Sequence, residues 1–191
     1  MKVKKVIGKS LLVLLCIVVA IVIIGVVQFH HRSNPKNLKQ YETNNPFITG
    51  ETAISAHRSG AGEFPEETLA AFRGCAENAN VQVDYFEFDL HMTADDILVL
   101  SHDSTLDRVS DAAAVFGAEN VLVRDKTLAE LKELNLAAQF VSGAGEMPYA
   151  DLHGDAVPDE LRILSLDEVL DYLTSAGDYR YIIEIKDGGD V

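Results

Sequence analysis

Cysteine is almost missing: Cys16 and Cys75 are the only two in 191 residues. Cys16 lies inside a long apolar run, so the rest of the chain can form no internal disulfide. No Cys-x-x-Cys pattern exists to hold zinc or to run thiol redox chemistry. Acidic residues are missing from the first 28 positions. All 30 Asp and Glu lie beyond them, with 12 of the 16 Lys and Arg, and give that part a net charge of −18. Such a surface repels phosphate backbones, which excludes a nucleic-acid partner. It equally disfavours a domain lying flat on anionic lipid. Internal repeats and low-complexity tracts are absent.

The apolar run is the first positive feature. Residues 11–27 are 17 apolar positions in a row, counting Gly25. A bilayer core takes about 20 helical residues and at the least roughly 17. Lys2, Lys4, Lys5 and Lys9 precede the run, and Arg32, Lys36 and Lys39 follow it. This bias, with the amino terminus, places the N-terminal side in the cytoplasm. A cleaved signal peptide would want a shorter core and a small-x-small site after it, and residues 26–30 offer none. A buried soluble helix would not carry four lysines at its entrance. The expected organisation is a cytoplasmic tail and transmembrane anchor over residues 1–28, a polar linker over 29–50, and an outward-facing domain over 51–191.

Within that domain, apolar and β-branched patterning predicts strands over 52–56, 81–90, 97–100 and 179–185. Pro65 sits where a helix can begin, with Glu66 and Glu67 in its first turn. Leu69, Phe72, Ala76 and Ala79 keep helical spacing behind them. Thr93 to Asp96 reads as a turn, 127–136 as a helix, 140–158 as an irregular loop, and Ser165 with Glu168 as a capping box opening a helix to about Ser175. Strands that alternate with helices imply parallel pairing in an α/β sheet or barrel. Chemistry-bearing residues close or line all four strands: His57, Glu87 with Asp89, His102, and Glu184. Catalytic residues at the C-terminal ends of successive strands are the mark of an α/β barrel.

Glu87 and Asp89 are two apart on a strand, so both carboxylates leave the same face while Phe88 leaves the other. Two inward carboxylates resist ionising together unless a cation joins them. Oxygen ligands suit a hard divalent ion, Ca²⁺ or Mg²⁺, and Glu184 supplies a third. A solvated acidic strand face is the plain alternative, and the apolar character of the strand argues against it. Histidine as a residue type changes charge near neutrality, which makes His57 and His102 the natural acid and base. Arg58 matches phosphate oxygens bidentately, the alternative being a surface cation. Lys186, two after Glu184, faces the same side. His30, His31, His91 and His153 are read as linker, strand or loop residues without a role.

These blocks resemble one family. Ala56-His57-Arg58-Ser59-Gly60 followed by Phe64-Pro65-Glu66-Glu67-Thr68 resembles the opening of the glycerophosphodiester phosphodiesterases. So do Tyr85-Phe86-Glu87-Phe88-Asp89, Ser101-His102-Asp103 with Leu106-Asp107-Arg108, the stretches around Thr127 and Leu164, and Ile183-Glu184-Ile185-Lys186. The resemblance runs over about residues 52–188. It implies a TIM barrel with an insertion after the third strand, and hydrolysis of a glycerophosphodiester to glycerol 3-phosphate and an alcohol. It implies His57 and His102 as the acid–base pair, in either order. Glu87, Asp89 and Glu184 would hold one divalent cation, with Arg58 and Lys186 on the phosphate. Three positions depart from the family pattern: Ser59 and Asp96 stand where glycine is usual, and Glu67 where asparagine is.

From Glu51 onward the chain offers 141 residues, whereas a TIM barrel takes about 250. The expectation is therefore a barrel truncated after about four strands, tethered to the cell membrane by one helix, with its catalytic domain extracytoplasmic. Two other readings stay open: a related barrel phosphodiesterase acting on phospholipid or lysophospholipid headgroups, and a non-catalytic membrane partner that keeps part of the fold.

Overall fold

The computed structural model describes residues 2–34, 36 and 52–186. Most of the expected linker, the first position of the expected domain (Glu51) and the positions after Lys186 lie outside these. The chain divides into two compact units, residues 1–51 and 52–191.

In the first unit, helix α1 (Lys2–Ser33) carries the apolar run and continues five residues into the segment read as linker. At about 1.5 Å per residue its 32 residues extend roughly 48 Å. From Leu14 onward its side chains are exposed, among them Leu15, Ile21, Ile24 and Val27. Among the described residues, Leu14–Ser33 is one helix long and apolar enough to cross a membrane, a test that an anchor and a signal sequence both satisfy.

The second unit is built around one strand. β2 (Tyr85–Met92) pairs in parallel with β1 (Ser55–Ala56) and with β4 (Arg180–Ile185). It pairs antiparallel with β3 (Leu98–Leu100). Tyr85 is opposite both Ser55 and Arg180, and Leu90 is opposite both Leu100 and Ile185. A strand has two edges, so β1 and β3 share one edge of β2 and β4 takes the other. The third strand is thus not a parallel barrel strand, as the alternation suggested, but the return arm of a hairpin. Thr93 to Ile97 connects it, closed by Asp96 N–H to Thr93 O and Thr93 N–H to Ile97 O. Five residues suffice for a hairpin, whereas a parallel crossover needs about a dozen. The parallel part has three strands, β1, β2 and β4.

Helix α2 (Leu69–Ala76) crosses between β1 and β2, and α5 (Leu166–Ala176) leads into β4. Phe86, Phe88 and Leu90 point to these helices and are buried with Phe72, Val169 and Leu173. The Phe72 ring lies 5.2 Å from Phe86 and 5.9 Å from Phe88. Each such side chain contributes about 1.5–3 kcal/mol by leaving water. Glu87 and Asp89 therefore leave the opposite face, as the two-residue period requires. Capping boxes open α4 (Leu128–Leu131, from Thr127) and α5 (from Ser165). The helix expected over 127–136 is only one turn long. The residues between β3 and α5, including α3 (Ala112–Phe116), fold over a second apolar cluster of Val99, Leu106, Leu131, Leu134 and Ile163.

Candidate active site

The first departure from the expected local structure builds the site. Glu66 and Glu67 do not lie in the first turn of α2. Thr68 is its N-cap: its backbone is extended (φ −110°, ψ 157°) and its hydroxyl accepts from Ala71 N–H. A threonine cap satisfies an orphan helix donor that Pro65 cannot, so the helix starts later. The preceding carboxylates then turn toward the sheet. Glu67 is 2% exposed and left-handed (φ 58°). After β1 the chain makes a single 3₁₀ turn, His57–Ser59, with Arg58 and Ser59 also left-handed (φ 48° and 63°). Gly60 follows at φ 114°, where a Cβ would lie 2.4 Å from Cys75 Sγ; this glycine is required.

Both segments dock on the edge of β2 between β1 and β3, where Glu87 to Asp89 have no strand partner on that side. Arg58 N–H donates to Glu87 Oε2 at 2.6 Å, and Asp89 N–H donates to Glu67 Oε1 at 3.3 Å. Across the other edge, Asp89 is opposite Glu184 in the parallel register. One oxygen each from Glu87, Asp89 and Glu184 lie within 4.8 Å of one another. Asp89 is 1% exposed, and its Oδ2 has no hydrogen-bond partner. Lys186 Nζ lies 3.0 Å from Asp89 Oδ1 and 2.8 Å from Glu184 Oε1. The lysine hydrogen bond holds the Glu184 carboxyl below its ordinary range, and Glu184 in turn raises Lys186. Burial first, and then the Asp89 charge, push the Glu67 carboxyl well above its ordinary range. A three-carboxylate oxygen set whose buried member keeps an unbonded oxygen fits a hard divalent cation.

The two histidines stand on either side. His57 is largely exposed, its Nε2 3.9 Å from Glu87 Oε2. His102 is half-buried just after β3, with Nδ1 2.7 Å from Asp103 Oδ1. Burial raises the Asp103 carboxyl, but hydrogen bonds from His102 and Arg108 outweigh it and hold it below the ordinary range. An ionised carboxylate only accepts, so Nδ1 carries the hydrogen and Nε2 is left free. Arg108 Nε donates to Asp103 Oδ2 at 2.5 Å, and its terminal nitrogens clamp Glu66 at 2.6 and 3.0 Å. Arg58, placed on phosphate by the sequence reading, has one terminal nitrogen 3.5 Å from Glu66 Oε1, while its Nε is buried without a partner. Lys186, read the same way, sits on the carboxylates. Sequence reasoning gave Asp103, Arg108 and Glu66 no role in the site. His-Asp adjacency was the one local signal for Asp103; nothing in spacing pairs Arg108 with Glu66. Beside them opens a recess of about 300 Å³, lined by Phe64, Pro65, Leu136 and Phe140 with Glu66 and Arg108 on its wall.

The sequence profile of the glycerophosphoryl diester phosphodiesterase family matches residues 57–188. A glycerophosphodiester phosphodiesterase from Caldanaerobacter subterraneus is 31% identical over 138 residues, 72% of this chain and 46% of that protein. Glycerophosphodiester phosphodiesterase 1 of Bos taurus is 43% identical over 83 residues, 44% of this chain and 22% of that one. Among solved structures, a glycerophosphoryl diester phosphodiesterase from Parabacteroides distasonis superposes with a TM-score of 0.51 at 27% identity, covering 71% of this chain and 38% of that one. These neighbours have a TIM-barrel-type fold. The matched part of the chain spans less than half the length of each of these relatives.

Proposed function

Because the chain belongs to the glycerophosphoryl diester phosphodiesterase family, we propose that it carries the acid–base and cation-binding part of a barrel enzyme that hydrolyses glycerophosphodiesters to glycerol 3-phosphate and an alcohol. The observation that carries this reading is the carboxylate cluster on β2 and β4, with the buried, unbonded Oδ2 of Asp89 at its centre. Glu87, Asp89 and Glu184 would hold one divalent cation, Ca²⁺ or Mg²⁺. When bound, it supplies charge that polarises a phosphoryl oxygen.

The chain's own residues do the rest. Arg58, with an unpaired Nε, receives phosphate oxygens. Lys186, on the same face, would contact the phosphate as well. One histidine of the pair His57 and His102 takes the proton of the attacking hydroxyl, water's or the substrate glycerol's own. The other gives a proton to the departing alcohol oxygen. In the net reaction the phosphorus–oxygen bond to the alcohol breaks and water's atoms divide between the two products.

Helix α1 is read as a membrane anchor with the domain outside, on the strength of its apolar run and the four lysines ahead of that run. A second reading, action on phospholipid or lysophospholipid headgroups, is favoured by that helix and by the recess in which Phe64 and Phe140 stand beside Arg108. Release of glycerol 3-phosphate from soluble glycerophosphodiesters by the whole protein, against release of the headgroup alcohol with lysophosphatidic acid from lysophospholipid vesicles, separates the two. The assay is run in chelator and with Mg²⁺ or Ca²⁺ restored. Turnover insensitive to chelator, or to His102→Ala, would remove the proposed chemistry. Proteolysis of intact cells that leaves the domain uncut would remove the outside placement.

A further inference from the structure

Behind His102 runs a chain of alternating charges that the proposed proton transfers leave unused. Asp103 Oδ1 takes the His102 Nδ1 hydrogen at 2.7 Å, and Asp103 Oδ2 takes the Arg108 Nε hydrogen at 2.5 Å. Arg108 grips both oxygens of Glu66, and Glu66 Oε1 lies 3.5 Å from the Arg58 guanidinium. The members come from three separate segments: the end of β3 and the loop beyond it, the approach to α2, and the turn after β1. An isolated surface pair contributes little, but a planar bidentate clamp shared between several charges fixes geometry. The ionised state of Asp103 fits this arrangement.

We propose that Asp103 and Arg108 are positioning residues that lock His102 in its Nδ1–H tautomer and, through Glu66, hold the Arg58 guanidinium. The proton-transferring imidazole and the phosphate clamp are thereby set in one frame. A staple that served stability alone would leave the tautomer and the two kinetic constants untouched. The kinetic part of the inference rests on the phosphodiesterase reading; the tautomer does not.

The test uses the whole protein labelled with ¹⁵N-histidine, at about pH 8, above the usual histidine pKa. The His102 signals are assigned by their loss in His102→Ala. The parent should show the Nδ1–H form. Asp103→Ala should pass to the Nε2–H form that free imidazole prefers, and Asp103→Asn, whose amide oxygen still accepts, should keep Nδ1–H. On a soluble glycerophosphodiester, Asp103→Ala should lower kcat by about tenfold or more, a share of the roughly 10²–10⁴ that acid–base catalysis supplies, with KM little changed. Arg108→Gln releases both ends and should lower kcat and raise KM together. Combined with Asp103→Ala it should lower kcat no further, because both act through one imidazole. Retention of Nδ1–H in Asp103→Ala overturns the proposal, as does an Arg108→Gln protein that loses thermal stability but changes neither constant. A parent without turnover would sink the phosphodiesterase reading, while the tautomer shift would still decide the positioning role.

Discussion

Replacing Lys186 with methionine in the cation-free protein removes the positive charge that faces Asp89. At 3.0 Å and an effective dielectric of about 20, the gross attraction is about 5.5 kcal/mol. Glu184 is 60% exposed, and solvent screens its share. Burying the ammonium takes part of this back, and measured losses on breaking a buried pair run at about 3–5 kcal/mol. The expected loss is therefore about 3 kcal/mol. At about 2–4 °C per kcal/mol for a chain of this size, the unfolding temperature in chelator should fall by roughly 6–12 °C. Mg²⁺ or Ca²⁺ should then restore it. A cation at 100 times its Kd adds about 2.7 kcal/mol, and in this variant it has no ammonium to displace, so it should bind more tightly than to the parent. Thermal unfolding by circular dichroism and calorimetric cation titration read both effects. If Lys186→Met is as stable as the parent in chelator, Asp89 does not depend on that charge; if the variant binds the cation no better, the lysine and the ion do not compete for one site.

Glu87→Gln should leave chelator stability within about 1 kcal/mol of the parent, as an exchange that keeps shape and acceptor, yet abolish most of the cation-induced rise in unfolding temperature. An undiminished rise would exclude Glu87 as a ligand. Ser59→Gly should stabilise the domain by about 1 kcal/mol or more. It relieves a left-handed non-glycine backbone and removes a buried hydroxyl without a partner, and denaturant unfolding should show a higher midpoint at unchanged slope. Glu67→Gln should alter the pH dependence of stability. Burial and Asp89 raise the Glu67 carboxyl, so its protonated form supports folding fully below the unfolded value of about 4.3. That support is lost as the pH rises through the folded value. Glutamine keeps the acceptor for Asp89 N–H and cannot ionise. In chelator its advantage over the parent should be absent near pH 4 and grow above it; a difference that stays flat from pH 4 to 8 would show that Glu67 does not titrate as described.

The parts legible in the sequence are those set by short periods. Alternation on β2 put Glu87 and Asp89 on one face and Phe86 and Phe88 on the other, and the Ser165–Glu168 box marked the start of α5. Family-like blocks identified the carboxylates that the structure brings within 4.8 Å. What failed was decided by competition between signals or by distance along the chain. Pro65 and Thr68 both mark a helix start, and the threonine cap prevailed, which turned Glu66 and Glu67 from helix residues into site residues. Strand alternation points to a parallel β3, although its connection to β2 is five residues, too short for any crossover. Arg108 reaches Glu66 across 42 positions of sequence, and no local pattern encodes such a pairing.

These misreadings share one location. β1 stops at Ala56 and β3 begins pairing at Leu90, which leaves the middle of β2 without a strand on that edge. A full neighbouring strand would have satisfied β2 there with its own backbone. In its place Glu67 Oε1 accepts from Asp89 N–H, Ser101 N–H donates to the Asp89 carbonyl, and Arg58 N–H is held by the Glu87 side chain. One side chain and two loop backbones thus close the gap, and the backbone on the β1 side is strained, with Arg58, Ser59 and Glu67 all left-handed. Strain of this kind, of order 1–3 kcal/mol per residue, persists only where the surrounding structure fixes it. Here a buried aromatic core on the other face of β2 does so. The interruption that makes the strand pattern hard to read is the same one that admits a histidine turn and four carboxylates to one short stretch of sheet.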